Sequence, residues 1–213
     1  MIQSIIFDFD GVVLDSEKIK DNGFRELFKG FPQEAVDCLI AYHKDNGGLS
    51  RFVKIRYMFE TILRQEISDD IVMRYAAEFS EMMLRELCNP IYLIPETLDF
   101  IKTYYKQTPM HVASGTEQNE LRTLVKELGL SDYFGMVMGS PADKAGNIAE
   151  IVSECRYSPE SVIMIGDSKN DHSAAKSNGL IFCGFNNNKL TDLSDHYITD
   201  YGEFAEKYCL NGK

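Results

Sequence analysis

Two acidic residues stand one position apart at the end of an apolar run near the start of the chain. Residues 4–10 read Ser-Ile-Ile-Phe-Asp-Phe-Asp, so Asp8 and Asp10 close the run. If the extended backbone continues through this point, both carboxylates project to the same side. One ionised carboxylate can then attack phosphorus while the other exchanges a proton with the leaving oxygen. Alone, this spacing is a weak signal, because acids at strand ends often only cap a turn.

More acids lie far along the chain, where residues 166–171 read Gly-Asp-Ser-Lys-Asn-Asp. This segment follows an apolar run and precedes a stretch of helical periodicity. The carboxylates of Asp167 and Asp171 are suitable ligands for Mg²⁺, a hard cation that usually keeps several waters. An acidic turn explains one of these acids well but explains the whole segment poorly.

Two further segments carry groups that can hold a phosphoryl group. Ser114-Gly115-Thr116 follows an apolar run, so a hydroxyl and free backbone N–H groups would lie where a strand meets a loop. Gly115 would permit close approach of a ligand. The competing interpretation is a helix N-cap before residue 118. Lys144 is one of many lysines, but inside a crevice it would neutralise both a carboxylate nucleophile and a phosphoryl group.

The fold class decides whether these segments meet. Short apolar runs predict buried strands at 4–10, 110–114, 136–140, 162–167 and 181–185, with a weaker candidate at 197–199. Helical periodicity lies between them, at 96–105, 118–128, 144–155 and 171–178. This alternation predicts an α/β fold whose core is a Rossmann-like parallel sheet covered by helices. In such a sheet the carboxyl ends of the strands form the ligand crevice, which would collect all four segments.

A long helical stretch interrupts this rhythm after the first strand. Apolar periodicity at 52–63 and 71–87 predicts consecutive helices, with turn signals at 30–32 and 46–48. We therefore predict a catalytic core formed by residues 1–14 and 93–213, and a helical cap inserted at residues 15–92.

Composition and charge limit the possible partners. The chain of 213 residues is 44% hydrophobic and 26% charged, as is typical of a globular domain with a modest insertion. Its formal net charge of −11 argues against nucleic acid or an anionic membrane as a partner. The cysteines form no CxxC pair, and neither a secretory signal nor a bilayer-length apolar run is evident. We expect a cytoplasmic protein that is monomeric or weakly dimeric.

Together the segments resemble four motifs of the haloacid dehalogenase-like hydrolase superfamily, specifically its phosphoglycolate phosphatase and β-phosphoglucomutase group with a helical cap. The first motif is matched by residues 8–16, which read Asp-Phe-Asp-Gly-Val-Val-Leu-Asp-Ser. The others are matched by Ser114-Gly115-Thr116, by Lys144, and by residues 166–171 with Ala174-Ala175 and Gly179. The motifs occur in the family's order and cover nearly the full chain.

The resemblance implies a role for each residue of the core site. Asp8 would be the nucleophile that becomes phosphorylated, and it would also bind Mg²⁺. Asp10 would be the general acid and base, with its backbone carbonyl contributing to the metal site. Ser114 would hold phosphoryl oxygens together with Lys144, which would also steady Asp8.

The metal ligands and the cap follow from the same resemblance. Asp167 would bind Mg²⁺ directly, and Asp171 would bind the metal or orient its shell. The segment Gly-Leu-Ser-Arg at 48–51 resembles the cap loop that contacts substrate. Arg51 would pair with a distal anionic group, since a guanidinium binds phosphate or carboxylate in a bidentate way. In the alternative, Ser50 caps a helix whose Arg51 and Lys54 lie on a solvated face.

These inferences predict a phosphoric monoester hydrolase: a Mg²⁺-dependent phosphatase that acts on a small phosphorylated metabolite through an aspartyl-phosphate. A sugar phosphomutase is the nearest alternative, although that group carries a histidine where this chain has Lys20. A phosphonate hydrolase would need a Schiff-base lysine, for which Lys18 or Lys20 is available. A catalytically silent binding protein is a further alternative. Asp10 argues against dehalogenation, because true haloacid dehalogenases lack that acid.

Overall fold

The core of the protein is a parallel sheet of six strands. The structure is a computed structural model that describes residues 1–210. Its strands are β1 (Ser4–Phe7), β2 (Met110–Glu117), β3 (Val137–Ser140), β4 (Val162–Gly166), β5 (Ile181–Gly184) and β6 (His196–Tyr197). They lie in the spatial order β3-β2-β1-β4-β5-β6, and every pairing is parallel. The predicted α/β fold with a Rossmann-like sheet is confirmed.

Alternate side chains of the central strand enter two different apolar layers, as the period of two requires. Ile5 and Phe7 belong to the larger layer, which contains Ile163 and Ile165 of β4. Ile6 belongs to the smaller layer on the opposite face of the sheet. Because both faces of β1 are buried, its sequence is a continuous apolar run rather than an alternating one.

Helices cover both faces of the sheet. The core helices are α5 (Pro95–Tyr104), α6 (Gln118–Glu127), α7 (Lys144–Glu154), α8 (Lys169–Ser177) and α9 (Tyr201–Lys207). The first four match the predicted helices within two residues at each end. Helix α9 was not predicted from the sequence. It packs through Tyr201 and Phe204 onto Phe100, with ring centroids 4.8 and 5.5 Å apart respectively.

The stretch between β1 and β2 is helical, as predicted. It contains α1 (Glu17–Leu27), α2 (Gln33–Asp45), α3 (Arg51–Arg56) with a π-helical continuation (Tyr57–Ile62), and α4 (Asp69–Leu87). Aromatic rings hold these helices together, for example Phe24 on Phe79 at 4.3 Å and Phe28 on Tyr75 at 5.3 Å between centroids. No helix within residues 1–210 has both the length and the apolar composition that crossing a bilayer requires.

Strand order fixes where a ligand can bind. From β1 the chain builds β2 and β3 on one side, and it then crosses to build β4, β5 and β6 on the other. The crevice of such a sheet lies where the order reverses, at the carboxyl ends of β1 and β4. Asp8 directly follows β1 and Asp167 directly follows β4.

Strand β2 is longer than the apolar run predicted. It continues through Ser114 to Glu117, where Glu117 pairs with Ser140 of β3. The N-cap of α6 is the side chain of Glu117, which accepts hydrogen bonds from the backbone N–H groups of Asn119 and Glu120, each at 2.9 Å. The interpretation of Ser114-Gly115-Thr116 as a helix cap is therefore wrong.

Candidate active site

Three carboxylates meet at the carboxyl edge of the sheet. One oxygen from each of Asp8, Asp167 and Asp171 lies within 4.8 Å of the other two. Asp8 is 2% exposed and Asp171 is fully buried. The chain returns close to this cluster at Gly11, where φ is +77° and a Cβ atom would overlap Asp167 Oδ2. A glycine is therefore required here both by the backbone conformation and by the space.

Lys144, the first residue of α7, enters the same cluster from the other side. Its Nζ lies 3.0 Å from Asp8 Oδ2 and also contacts Asp171 Oδ1. The lysine side chain is 2% exposed. Burial opposes its charge, but Asp171 and Asp8 together hold the pKa of Lys144 above its ordinary value. The structure thus places a permanent cation between two of the three acids.

The cluster remains short of positive charge despite Lys144. Burial raises the pKa of Asp8 to about 7, with repulsion from Asp171 added and the attraction of Lys144 opposing it. Burial, together with Asp8 and Asp171, also raises the pKa of Asp167. Packed, partly protonated carboxylates of this kind are a suitable donor set for a hard divalent cation, which would relieve their repulsion. The residues present therefore fit Mg²⁺.

Asp171 has a structural task as well. Its Oδ2 accepts hydrogen bonds from the Ser168 backbone N–H at 2.9 Å and from Ser168 Oγ at 2.6 Å. In return, the Asp171 backbone N–H donates to Ser168 Oγ at 3.2 Å. This reciprocal capping box begins α8 and fixes the carboxylate towards Lys144. Its role at the metal stays a prediction.

The carboxylate of Asp10 does not belong to this group of three acids and has partners of its own. It accepts hydrogen bonds from the hydroxyls of Ser16 and Thr116, each at 2.6 Å, and its Oδ2 lies 2.5 Å from Lys20 Nζ. Although burial opposes the charged form, Lys20 and these hydrogen bonds lower the pKa of Asp10 below its ordinary value. Lys20 also donates to Thr116 Oγ1 at 2.9 Å, so α1 and β2 hold Asp10 jointly.

Sequence reasoning gave no role at Asp10 to Ser16, Thr116 or Lys20. Ser16 and Thr116 lie inside the matched motifs, but no function had been assigned to either of them. Lys20 was noted because it replaces a histidine and because it could form a Schiff base, not as a partner of Asp10. Its position one helical turn after Ser16 was the available signal, because residues four apart share a helix face.

Ser114 and Gly115 lie between Asp10 and the helical insertion. Ser114 is 1% exposed, and its Oγ donates to Asp10 Oδ2 at 3.3 Å and accepts from the Thr116 N–H at 3.1 Å. A Cβ atom at Gly115 would overlap the carbonyl oxygen of Gly48. Gly115 therefore lets the loop before α3 approach the end of β2. Phosphate binding by these residues stays a prediction.

Arg51 is buried and already paired. Its Nη1 lies 2.5 Å from Glu120 Oε2 and its Nη2 2.9 Å from Oε1, while Nη1 also donates to Ser80 Oγ at 2.7 Å. The guanidinium lies 4.7 Å from the centroid of the Phe79 ring. Arg51 and Lys54 are only 4% and 3% exposed, so the solvated helix face considered as the alternative is wrong. The ion pair joins the insertion to α6; contact of Arg51 with substrate stays a prediction.

Many of these groups line one cleft of about 530 Å³, whereas Ser114, Lys144 and Asp171 do not belong to its lining. Asp8, Asp10 and Asp167 line it from the sheet, and Gly115 lines it from β2. The helical insertion supplies the facing wall, including the basic side chains Lys20, Lys44, Arg51 and Lys54. The arrangement can hold a phosphoryl group beside a buried carboxylate nucleophile and enclose the remainder of a small molecule.

Comparison with known proteins identifies the family. The family model described as haloacid dehalogenase-like hydrolase matches residues 5–185. The chain belongs to this family. The hydrolase is 26% identical over 186 residues to a phosphorylated carbohydrates phosphatase of Thermotoga maritima, covering 84% of this chain and 82% of that protein. It is 27% identical over 137 residues to the fructose-1-phosphate phosphatase YqaB of Escherichia coli, covering 64% and 68%.

Solved structures show the same fold. A β-phosphoglucomutase from Clostridium difficile superimposes with a TM-score of 0.79 at 18% identity and covers 98% of both chains. A predicted phosphoglycolate phosphatase from Haemophilus somnus gives 0.76 at 17% identity, over 97% of both chains. The expected superfamily is confirmed, and so is the expected enzyme class, phosphoric monoester hydrolase, at the level of the family and its phosphatase relatives.

Proposed function

We propose that this hydrolase is a Mg²⁺-dependent phosphatase that removes the phosphoryl group of a small phosphorylated metabolite through an aspartyl-phosphate on Asp8. The observation that carries the proposal is the buried Asp8 carboxylate, 3.0 Å from the Lys144 ammonium and within 4.8 Å of two further acids. A carboxylate with a fixed cation beside it can attack an anionic phosphoryl group without prohibitive repulsion.

In the first half-reaction an oxygen of Asp8 forms a bond to phosphorus, and the bond from phosphorus to the ester oxygen breaks. Asp10, in its protonated form, gives its proton to the departing alkoxide. Lys144 stays paired with the attacking carboxylate and, with Ser114 and Gly115, holds phosphoryl oxygens. The product is an acyl phosphate on Asp8 and a free alcohol.

In the second half-reaction water attacks the phosphorus of this acyl phosphate. Asp10 takes a proton from the water, and the bond between phosphorus and the Asp8 oxygen breaks to release inorganic phosphate. The contacts of Asp10 with Lys20 and Thr116 favour its ionised form, which is the form that this step needs. The first half-reaction needs the protonated form, so the substrate must displace these contacts before Asp10 can carry the proton that it donates.

We place Mg²⁺ at the carboxylates of Asp8 and Asp167, with the backbone carbonyl of Asp10 and with Asp171 binding it or orienting its shell. Bound there, the ion would supply positive charge that polarises a phosphoryl oxygen and lowers the repulsion among the acids. Asp171 is held for either role by Ser168 and Lys144.

Residues 15–92 act in this proposal as a cap that encloses the substrate and excludes water from the reacting groups. The phosphatases named above act, by their names, on phosphorylated carbohydrates and on fructose 1-phosphate. A phosphorylated sugar or sugar-derived acid is therefore the substrate class that we propose. Cytoplasmic location and a monomeric or weakly dimeric state belong to the same proposal.

The test is an assay of phosphate release from a panel of phosphorylated metabolites, with Mg²⁺ and with a chelator. We expect release to require Mg²⁺ and to fall by at least about a thousandfold in Asp8→Asn, because the covalent route is then closed. Asp132→Asn, at an exposed position, is the matched control and should keep wild-type turnover. Wild-type turnover by Asp8→Asn would refute the assignment of Asp8 as the nucleophile.

The same reactions distinguish a sugar phosphomutase. A mutase would isomerise a sugar phosphate and release little inorganic phosphate, because the phosphoryl group returns to another hydroxyl. We expect stoichiometric release of phosphate with no isomer formed. If the isomer formed faster than inorganic phosphate was released, the enzyme would be a mutase and the phosphatase proposal would be wrong.

A further inference from the structure

One buried cation of the cleft has no anion beside it. Lys54 is 3% exposed, and within residues 1–210 no carboxylate oxygen lies at ion-pair distance from its Nζ. Its one polar contact there is His43 Nδ1, at 2.7 Å. Burying an ammonium without a counter-charge is unfavourable, so proteins seldom retain one without a reason.

His43 supplies no negative charge to balance the ammonium of Lys54. Burial, with the charges of Lys54 and Lys20 added, lowers the pKa of His43 to about 3, so the ring is neutral. Its Nε2 lies 3.6 Å from Asp21 Oδ1, a buried oxygen without a hydrogen-bond partner among the described residues. An Nε2–H tautomer facing Asp21 leaves Nδ1 free to accept from Lys54. Lys54 thus donates one of its three N–H groups to a neutral ring rather than to an anion.

The other cations of the cleft behave differently. Lys20 is paired with Asp10, Lys44 with Asp21, Arg51 with Glu120 and Lys144 with Asp8 and Asp171. Lys169 and Lys189 also line the cleft, but they are exposed to solvent. Within the part of the chain that the structure describes, the positive charge that is both buried and uncompensated in the cleft is therefore that of Lys54. Burial, with Lys20 and Arg51 added and with Asp10 and Asp21 opposing, lowers its pKa to about 7, as expected for a buried ammonium without an anion in contact with it.

The position of Lys54 suits the far end of a substrate. It lies on α3, on the wall opposite the sheet, in the same cleft as Asp8. The rings of Phe24 and Phe79 line that wall, and Phe24 packs on His43 at 4.9 Å between centroids. A cation set among aromatic rings forms a specific anion site, because water is excluded and competing partners are few.

We propose that Lys54, positioned by His43, binds a second anionic group of the substrate, remote from the phosphoryl group that is transferred. The group is a carboxylate or a second phosphate, and the substrate is then a phosphorylated sugar acid or a sugar bisphosphate. This assignment rests on the proposed function and names the substrate class of the same cleft. It gives Lys54 the recognition task expected of Arg51, whose charge Glu120 already neutralises.

The exposed lining of the cleft carries charges of both signs. Asp15, Glu17 and Asp45 are exposed there, and so are Lys44, Lys169 and Lys189. Solvent screens these exposed charges, whereas the buried lysine attracts an anion at the inner wall. A substrate gains from Lys54 only when its second anionic group reaches that wall while the phosphoryl group lies at Asp8.

The experiment compares Lys54→Met with wild type on three substrates: a hexose monophosphate, the corresponding bisphosphate and a phosphorylated sugar acid. Methionine keeps the approximate length of the side chain without its charge, and it removes the cost of burying an unpaired ammonium. For the preferred two-anion substrate we expect kcat/KM to fall by about 10- to 100-fold, the range for a charge-assisted hydrogen bond. For the monophosphate we expect a change of less than about threefold. The bisphosphate and sugar-acid arms identify which anion is bound.

Two controls make the result specific. Lys102→Met removes a charge from the exposed face of α5 and should leave all three kcat/KM values unchanged. Lys54→Arg should restore part of the preference for the two-anion substrate, because the charge returns. An equal loss on all three substrates, or a wild-type enzyme with no preference for a second anion, would overturn the assignment.

A binding measurement separates this inference from the catalytic proposal. In an Asp8→Asn background, calorimetry should show the two-anion compound binding more tightly than the monophosphate, and Lys54→Met should remove that difference. If the wild-type enzyme hydrolysed no phosphate ester, the proposed function would fail, yet this arm would still decide the role of Lys54. Equal affinities before and after the substitution would refute that role.

Discussion

The buried carboxylate of Asp8 should make the metal-free protein less stable as the pH rises. Burial raises its pKa to about 7 from an ordinary 3.8, with Asp171 adding repulsion and Lys144 opposing it. Between these two values the folded protein keeps a proton on Asp8 that the unfolded chain has lost. The stability that this proton provides is complete below about pH 4 and is lost as the pH rises through about 7.

The structure sets the size of the effect. At about 1.4 kcal/mol per pKa unit, the interval from 3.8 to about 7 amounts to roughly 4 kcal/mol by pH 8. Asparagine imitates the neutral acid at this position, so Asp8→Asn removes the penalty. Without metal, we expect Asp8→Asn to exceed wild type in the free energy of unfolding by roughly 4 kcal/mol at pH 8 and by about 1–2 kcal/mol at pH 5.

Urea unfolding in a chelating buffer at pH 5 and pH 8 measures this directly. Asp132→Asn, which removes an exposed carboxylate, should show no such gain at either pH. Addition of Mg²⁺ should stabilise wild type more than Asp8→Asn, because a bound cation compensates a charge that only wild type carries. An Asp8→Asn protein no more stable than wild type at pH 8 would show that the carboxylate is not electrostatically penalised, and the account of the cluster would be wrong.

Two further substitutions test other parts of the cleft. Gly11→Ala should weaken Mg²⁺ binding by at least about tenfold, because the new methyl group displaces the Asp167 carboxylate; calorimetric titration measures it. Gly30→Ala, where a Cβ meets nothing within 4 Å, is the control. Unchanged Mg²⁺ affinity in Gly11→Ala would contradict the placement of the metal beside Asp167. Glu120→Gln should lower the free energy of unfolding by about 3 kcal/mol, since it leaves the buried Arg51 unpaired. Denaturant unfolding checks this second change, and a loss below about 0.5 kcal/mol would mean that the pair does not hold the insertion to the core.

Local patterns were sufficient for the architecture. Apolar runs of strand length alternating with helical periodicity predict a parallel sheet, and all five stronger strand candidates became strands. The weaker candidate at 197–199 overlaps β6, which is His196–Tyr197. Helix α9 was not predicted from the sequence, because its stability comes from the packing of Tyr201 and Phe204 on Phe100 rather than from the helical periodicity of its own short segment.

The convergence of the acids was also predictable. Asp8 and Asp167 end strands whose carboxyl ends meet at one edge, so strand order alone brings them together. The extension of β2 to Glu117 was not predictable, because it depends on pairing with Ser140 of another strand. Periodicity reports burial along one segment and carries no information about which segment will lie beside it.

The sequence by itself therefore determined the α/β fold, the family and the acids at the edge of the sheet, since each follows from short-range pattern and from a topology with few alternatives. The tertiary structure alone decided which charges are compensated. Arg51 contacts Glu120, Lys20 contacts Asp10 and Thr116, and among the described residues the only polar partner of Lys54 is a neutral ring. Arg51 and Glu120 are 69 positions apart and Lys20 and Thr116 are 96 apart, and Lys54 and His43 lie on different helices. The physical reason is that charge pairing depends on the relative placement of whole elements, which no single segment encodes.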